Sequence, residues 1–571
     1  MSTAGAEPQV GCFTGLFPFN RRRKVVSASV APAAESTQQI PLPVSEIKTI
    51  PTKSVSCTHL HGEELPSYAE FANTCMFCDY TVGRGVHVDD KLPSYGAHTL
   101  EGVFRPEVLK TIEETVDKYD SELRDLSLDI LRHPEIAWQE KRTHDKLTAF
   151  MSSHGFDVTP HYLSIPTAWQ AVFSHTSSSP SADESRVIGV NSEMDALPGV
   201  GHACGHNLIA IAGVGIALAI KAALEKHDVS GKIVLLGTPA EEGGGGKISL
   251  LDAGAYDEMD ACIMCHPGGG PANYASIGPS LASQPLEIEF IGHGAHAAWA
   301  PWEAQNALDA AFLAYSSVSV LRQQIKPTHR VHGIVSGKDW APNIIPDNAK
   351  MRWIVRAPTW GEVEVLRERV KACFEAAAHA TGCKLEMSIG IGYYDNRQNK
   401  VLGAQYAEVV GRYGITAIFD DGMAASTDFG NVTYALPALH PNFTIPTEPN
   451  GGNHTPQFTK AAGTPEAHRL TIKTIKALAL TGFRVVDDKD FAVNAKRAWE
   501  DQMASVPRGH PGLLGRVHPS SSFASQARRT GTGGMTAPSP QAMDFERDFD
   551  EWFNRDIGGS AFRDDIPHAR I

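Results

Sequence analysis

The sequence predicts an α/β protein: a doubly wound, mainly parallel sheet interrupted by an inserted β-α-β-β-α-β domain of ferredoxin-like order. Three observations predict it. From about residue 106 to 284, short apolar strands alternate with helices, the rhythm of a parallel sheet covered on both faces. From about 285 to 395 the order becomes strand, helix, two strands, helix, strand, the split βαβ arrangement. The first rhythm then resumes at 396 and runs to about 490, so a smaller domain sits inside a larger one.

Each element has its own signal. Pro106 to His154 is charged and helical, with a break at His133-Pro134, because a residue before proline is pushed out of the helical region. Val187–Val190, Lys232–Gly237 and Asp260–Met264 are short apolar strands, and Leu208–Leu224 is an apolar, Ala-rich helix. In the inserted domain, Leu286–Ile291 alternates as a strand and Ala304–Gln324 is an amphipathic helix. Val331–Val335 and Met351–Val355 form a strand pair, Glu362–Ala380 a second helix and Lys384–Ile391 a last strand. Outside this frame, residues 1–105 and 491–571 are rich in Pro, Gly, Ser, Ala or Thr and lack apolar periodicity, which predicts largely disordered extensions. An acidic amphipathic segment, Met543 to Phe553, is a candidate helix in the second of these.

Composition narrows the function. The 571-residue chain has a net charge of −14, a poor starting point for binding nucleic acid, which demands clustered Lys and Arg. No apolar run is read as reaching the roughly 18 to 20 residues of a membrane span, and the N-terminus lacks a signal peptide's apolar stretch. Nine unevenly spaced cysteines in so long a chain do not make a disulfide scaffold. Together these predict a cytoplasmic protein with neither nucleic acid nor membrane as partner. Within the N-terminal extension, Arg21-Arg22-Arg23-Lys24 reads as an import or acidic-surface signal or as a solvated charge run. Leu-Pro-Ser-Tyr recurs at Leu65–Tyr68 and Leu92–Tyr95, either a ligand motif or chance. Cys75 and Cys78 form a CxxC with no second pair, a weak zinc signal.

The chemistry concentrates at strand ends. Glu193 to Pro198 leads into His202-Ala203-Cys204-Gly205-His206-Asn207, between a strand and the apolar helix, where ligands gather in doubly wound folds. Cys204 and His206 flank a glycine, so thiolate and imidazole can reach one ion. The next strand ends at Glu241-Glu242 and a run of four glycines. Adjacent carboxylates after an apolar strand are costly unless solvated or bound to cations. Neighbouring residues point apart, so one can ligate while the other faces substrate. His266 follows the next strand, and His454 sits in a Gly/Pro-rich loop. A lone histidine is more often structural, but this recurrence along one expected sheet edge points to a metal. Trp299 and Trp302, beside His296, read either as a substrate wall or as core packing.

These motifs, with Gly294 to Ala298, Asn343 to Pro346, Ser426 to Asn431 and His133-Pro134-Glu135, occur in order over about residues 106–490. The chain thereby resembles the aminoacylase and carboxypeptidase-G-like family of co-catalytic zinc peptidases, specifically its Cys-type amidohydrolase branch, which includes dipeptidases. The resemblance implies that Cys204, His206, Glu242, His266 and His454 bind one or two zinc ions, with manganese or cobalt as substitutes. It implies Glu241 as general base, Asp195 as a residue orienting the ligands, and His296, Asn343 and Arg356 as lid residues that hold the oxyanion and the substrate carboxylate. It further implies hydrolysis of a small dipeptide or N-acyl amino acid, and a homodimer formed through the inserted lid. Glu193 stands where many relatives carry a histidine ligand, and Asn207 where many carry aspartate. The rival reading is a non-catalytic scaffold of the same family, against which the retained Glu241 argues.

Overall fold

The computed structural model describes residues 103–179 and 185–506. The Arg21 to Lys24 run, both Leu-Pro-Ser-Tyr copies, the Cys75/Cys78 pair and the Met543–Phe553 segment lie outside the described residues. Pro106 opens helix α1 (Pro106–Arg132) in its first turn, where a missing N–H is harmless. Its buried stripe runs Val108, Ile112, Val116, Leu123, Leu126, Ile130. The chain then turns at His133-Pro134, and α2 (Lys141–Ser153) begins. Glu135 caps α2, accepting the N–H groups of Arg142 and Thr143 at 2.9 Å each.

The main sheet runs β1-β2-β4-β3-β5-β13, where β1 is Asp157–Pro160, β2 Trp169–His175, β3 Arg186–Glu193, β4 Gly231–Thr238, β5 Ala261–Ile263 and β13 Ala438–Leu439. The β4, β3, β5 and β13 strands are parallel, and β1 and β2 add an antiparallel edge. The β1–β2 pair was not foreseen: Asp157–Pro160 has no apolar alternation to betray it. Strand β3 extends beyond its apolar stretch through buried Asn191, Ser192 and Glu193, which carries a carboxylate into the interior.

Helix α3 (His206–His227) lies between α1 and α10 (Pro465–Asp487) and against β3. Contrary to the sequence reading, it is long and apolar enough to cross a membrane, but 89% of its apolar window is buried inside the protein. Burying each Ile, Leu or Val here contributes about 1.5–3 kcal/mol, so α3 is a core helix. Gly213 permits its close approach to β3, because a Cβ there would sit 2.2 Å from Ser192 Oγ.

A second sheet, β12-β7-β14-β6, combines β6 (His266–Gly269), β7 (Tyr274–Ser276), β12 (Thr416–Ile418) and β14 (Asn442–Ile445). The inserted segment forms a third sheet with its own core. Strands β8 (Ala282–Ile291), β9 (Arg330–Ser336), β10 (Asn348–Ala357) and β11 (Lys384–Ile389) pair antiparallel in the order β11-β8-β10-β9. Leu286, Ile288 and Phe290 of β8, with Met351, Trp353 and Val355 of β10, bury against α5 (Ala307–Leu321) and α6 (Trp360–Thr381). The intervening Glu287 and Glu289 face the other way, the period-2 pattern of a one-sided sheet.

The ordered chain extends further than the sequence suggested. Helix α11 (Lys489–Ala504) continues past residue 490, with Phe491, Ala495 and Ala498 buried and Trp499 Nε1 donating to Thr433 O at 3.0 Å. Its apolar contacts are sparse in sequence, so polarity masked a docked helix. Trp299 and Trp302 are 80% and 77% exposed, which excludes the core-packing reading.

Candidate active site

The site begins where β3 ends. After Asp195 the chain makes a tight turn, Leu197 and Gly201 exchanging backbone bonds at 3.0 and 3.1 Å, and reaches Cys204. Gly205 has φ 81° and a Cβ there would meet Pro267 at 2.5 Å, so only glycine fits. That left-handed residue swings the chain into α3 and leaves Cys204 and His206 on the same side. The Cys204 Sγ lies 3.3 Å from His266 Nε2, and His266 is the first residue of β6. His454 has φ 70°, and its N–H donates to Ala203 O at 2.8 Å. A non-glycine residue in that region stores roughly 1–3 kcal/mol of strain, offset by ties such as this one to the cysteine turn.

The Glu241-Glu242 loop is the other half. It links β4 to α4 (Gly246–Asp252), with Ala240 at φ 55° and Gly245 at φ 64°. Side chains from separate segments hold its backbone. Glu140 accepts from Ala240 N at 2.8 Å, Asp195 from Glu242 N at 3.0 Å, and Asp428 from Lys247 N at 2.9 Å. Tyr393 Oη accepts from Gly245 N at 3.0 Å and donates to Glu241 O at 2.7 Å.

The donor atoms converge in two triads that share one sulfur. Cys204, His206 and His266 form the first, and Cys204, Glu242 and His454 the second, with ligand atoms inside each lying within 4.8 Å of one another. Glu242 Oε1 is 3.4 Å from His454 Nε2 and 3.9 Å from His206 Nε2. Three observations fit a divalent metal. His206 Nε2, Glu242 Oε1 and Glu193 Oε2 are buried without an aligned hydrogen bond and meet only one another and His454, His206 Nε2 lying 3.3 Å from Glu193 Oε2, a concentration of carboxylates that a cation would relieve. Burial lowers the His206 pKa, but Glu193 and Asp195 outweigh it and lift it well above the ordinary value, so the pocket favours positive charge. Burial and the charge of Glu242 push the Cys204 thiol up, so it would ionise near neutrality only with a cation bound to it.

Asp195 touches both halves of the site. Its Oδ1 is 3.1 Å from His206 Nδ1 while its Oδ2 holds Glu242 N, so one carboxylate aims a ligand of each triad. Glu241 is 6% exposed and contributes its donor atom to a cluster with His206 and Glu242. Burial, then the charges of Glu193, Glu242 and Asp428, raise its carboxyl well above the usual range, the direction expected of a group that must accept and return a proton near neutrality.

Several placements were not legible in the sequence. The triads do not all hang from one sheet edge: Cys204, His206 and Glu242 follow strands of the main sheet, whereas His454 follows β14 of the second sheet. Asn207 donates to Ser127 Oγ and Ala462 O, a structural bond between helices. Glu193 is fully buried and its Oε1 lies 2.6 Å from Lys247 Nζ, which also meets Asp428 Oδ1 at 2.6 Å. Lys247 was overlooked because a lysine after a glycine run carries no sign of burial. The lid residues stand outside the triads. His296 and Asn343 occupy adjacent exposed loops, joined by Ala297 N to Asn343 O at 3.1 Å. The Arg356 guanidinium donates to Ser426 Oγ at 2.8 Å. His296 Nδ1 accepts the N–H groups of Ala298 and Trp299 at 3.2 and 3.0 Å, which places a neutral ring's proton on Nε2 as an outward donor.

Residues 189–476 match the signature of peptidase family M20/M25/M40. The chain belongs to this family. An Xaa-Arg dipeptidase of Mus musculus is 42% identical over 384 residues, covering 65% of this chain and 88% of that protein. The Homo sapiens Xaa-Arg dipeptidase is 43% identical over 387 residues, covering 65% and 87%. One of the p-aminobenzoyl-glutamate hydrolase polypeptides of Escherichia coli strain K12 is 26% identical, covering 66% and 91%. In fold, the aminobenzoyl-glutamate utilization protein from Klebsiella pneumoniae matches with a TM-score of 0.52 at 18% identity, over 66% of this chain and 99% of that one. This M20-type chain is therefore a metal-dependent hydrolase of the peptidase/amidohydrolase class, acting on small peptides or amides, and the scaffold reading is not favoured.

Proposed function

We propose that the protein is a cytoplasmic, homodimeric two-zinc dipeptidase that releases a C-terminal cationic residue, arginine foremost. The observation that carries this is the 42–43% identity to two Xaa-Arg dipeptidases over nearly their whole length. Other features support it. The two triads offer thiolate, imidazole and carboxylate, a donor set suited to zinc. The net charge of −14 favours a cationic substrate. Residues 269–271 and 446–452, which adjoin the His266 and His454 segments, line an open surface depression of about 470 Å³. Its charged wall residue is Glu448, tied at the surface to Lys460. The described cysteines are all free thiols, as suits a reducing compartment.

Bound zinc would be held by Cys204, His206, Glu242, His266 and His454, and supplies Lewis acidity that polarises a carbonyl and acidifies a water. Glu241 accepts a proton from the attacking water and returns it to the amide nitrogen as the C–N bond breaks. Asp195 keeps His206 and Glu242 aimed throughout. His296, which stands outside the triads in this chain, would present its Nε2 proton to the oxyanion when the lid meets a site, a kind of contact typically worth roughly 3–4 kcal/mol of barrier. Arg356 and Asn343 take the substrate carboxylate. The test is a panel of dipeptides ending in Arg, Lys, Ala or Glu, beside N-acyl amino acids and p-aminobenzoyl-glutamate. Arginine dipeptides are expected to give the highest kcat/KM by at least tenfold, and preference for an acidic or acylated substrate would sink the assignment.

A further inference from the structure

The lid leaves and rejoins the catalytic domain through two short segments that pair with each other. Ser283, at the start of β8, and Tyr393, four residues beyond β11, exchange N–H···O bonds at 2.8 Å in both directions. The hinge is therefore a two-strand ribbon. One of its strands reaches the base-bearing loop through two neighbouring residues. The Tyr393 phenol bridges that loop, accepting from Gly245 N and donating to the carbonyl of Glu241 itself. Ile391 lies against Gly245, where an added Cβ would stand 3.0 Å from Ile391 Cγ2.

This loop needs external support. Ala240 and Gly245 are both left-handed, and Gly246 has no room for a side chain, since a Cβ there would meet Pro239 O at 1.8 Å. Its other braces, Glu140, Asp195 and Asp428, come from the catalytic domain. Tyr393 is the brace that comes from the lid hinge, and it acts on the peptide of the base.

We propose that Tyr393 is a positioning residue that couples the lid hinge to the orientation of Glu241. Any turn of the hinge ribbon would be transmitted through the phenol to the Glu241–Glu242 peptide and so to the aim of the Glu241 carboxylate. The peptide that Tyr393 holds also carries Glu242 N–H, which Asp195 keeps bonded at 3.0 Å, so with that second tie in place the coupling is expected to fall mainly on the chemical step. A small displacement suffices, because a misplacement of about 1 Å can cost roughly a hundredfold in rate.

The test compares wild type with Tyr393→Phe, which keeps the ring and deletes both hydrogen bonds. Kinetics use the best dipeptide of the panel above, whichever it is. Affinity is measured with its reduced-amide analogue, and metal content by elemental analysis. The expected result is a kcat lower by about tenfold or more, with KM, analogue affinity and metal content within twofold. A kcat within twofold of wild type overturns the proposal. So does a loss shared equally by analogue affinity and metal content, which marks a merely structural contact. A second measurement needs no variant. In the wild-type enzyme, amide exchange at residues 241–246 is expected to slow on analogue binding together with that at 390–394. Protection of the hinge segment with the loop unchanged would refute the coupling.

Discussion

Glu241 and Glu242 are covalent neighbours with opposite surroundings. Glu242 has its N–H held by Asp195 and its Oε1 facing His454 at 3.4 Å and His206 at 3.9 Å. Glu241 turns towards Glu193 and Asp428, whose charges, after burial, raise its pKa. Replacing Glu241 by Gln preserves shape and leaves every triad atom in place. The expected outcome is near-normal metal content with turnover reduced by roughly 10²-fold or more, read by elemental analysis beside a rate assay. Loss of metal would mean that the two glutamates exchange roles. At this scale the sequence was a good guide to which side chains come together, because few residue types can offer a metal donor and Cys204, His206, Glu242, His266 and His454 do converge. It was a poor guide to what balances them. Nothing local marks Lys247 as buried between Glu193 and Asp428, since that triangle closes only when three distant segments fold together.

Among elements, the lid helix α6 shows how a local device resists burial and acid. Thr359 caps it, accepting from Glu362 N at 3.4 Å, and the Glu362 carboxylate meets Lys326 at 2.8 Å and His329 at 3.8 Å. Burial works to raise the Glu362 pKa, but the bonds from His329 and Lys326 outweigh it and lower it to about 2. A depressed carboxyl stabilises the fold fully above its ordinary value near 4.5, and that contribution fades as pH falls towards 2. It amounts to roughly 3 kcal/mol at most. Glu362→Gln is therefore expected to melt well below wild type at pH 6, with the gap narrowing between pH 4.5 and 2.5. Thermal unfolding across that range checks it, and a gap independent of pH would show that the ion pair is not the cause. Elements with strong apolar periodicity, such as α6 and β8, were legible to within a few residues. Asp157–Pro160 and α11 were not, because an edge strand and a docked terminal helix take their stability from tertiary contacts that leave little pattern in sequence.

At the scale of the molecule, α5 presents a face with no obvious purpose in a monomer. Phe312 is 59% exposed and Val320 74%, and the helix carries a single charge, Asp309. Exposed apolar surface of this kind is what the proposed pairing through the lid would cover. Sedimentation is expected to show a dimer for wild type and a monomer for Phe312→Glu, with the isolated protomer still folded. A wild-type protein that sediments as a monomer would remove the basis for pairing through the lid. The inserted antiparallel sheet was readable because the change of strand rhythm at about 285 survives any detail of packing. The sharing of Cys204 by two triads was not, since it depends on β14 bringing His454 back from a different sheet.

The paired hinge residues have a consequence for the engineering of the chain. Because Ser283 and Tyr393 are bonded across a ribbon, the catalytic domain meets the lid at two points about 5 Å apart. That is the gap a tight two-residue turn spans. A short turn joining these two points would therefore close the catalytic domain without stretching the segments that carry the metal ligands, at the cost of the Tyr393 brace on the base-bearing loop.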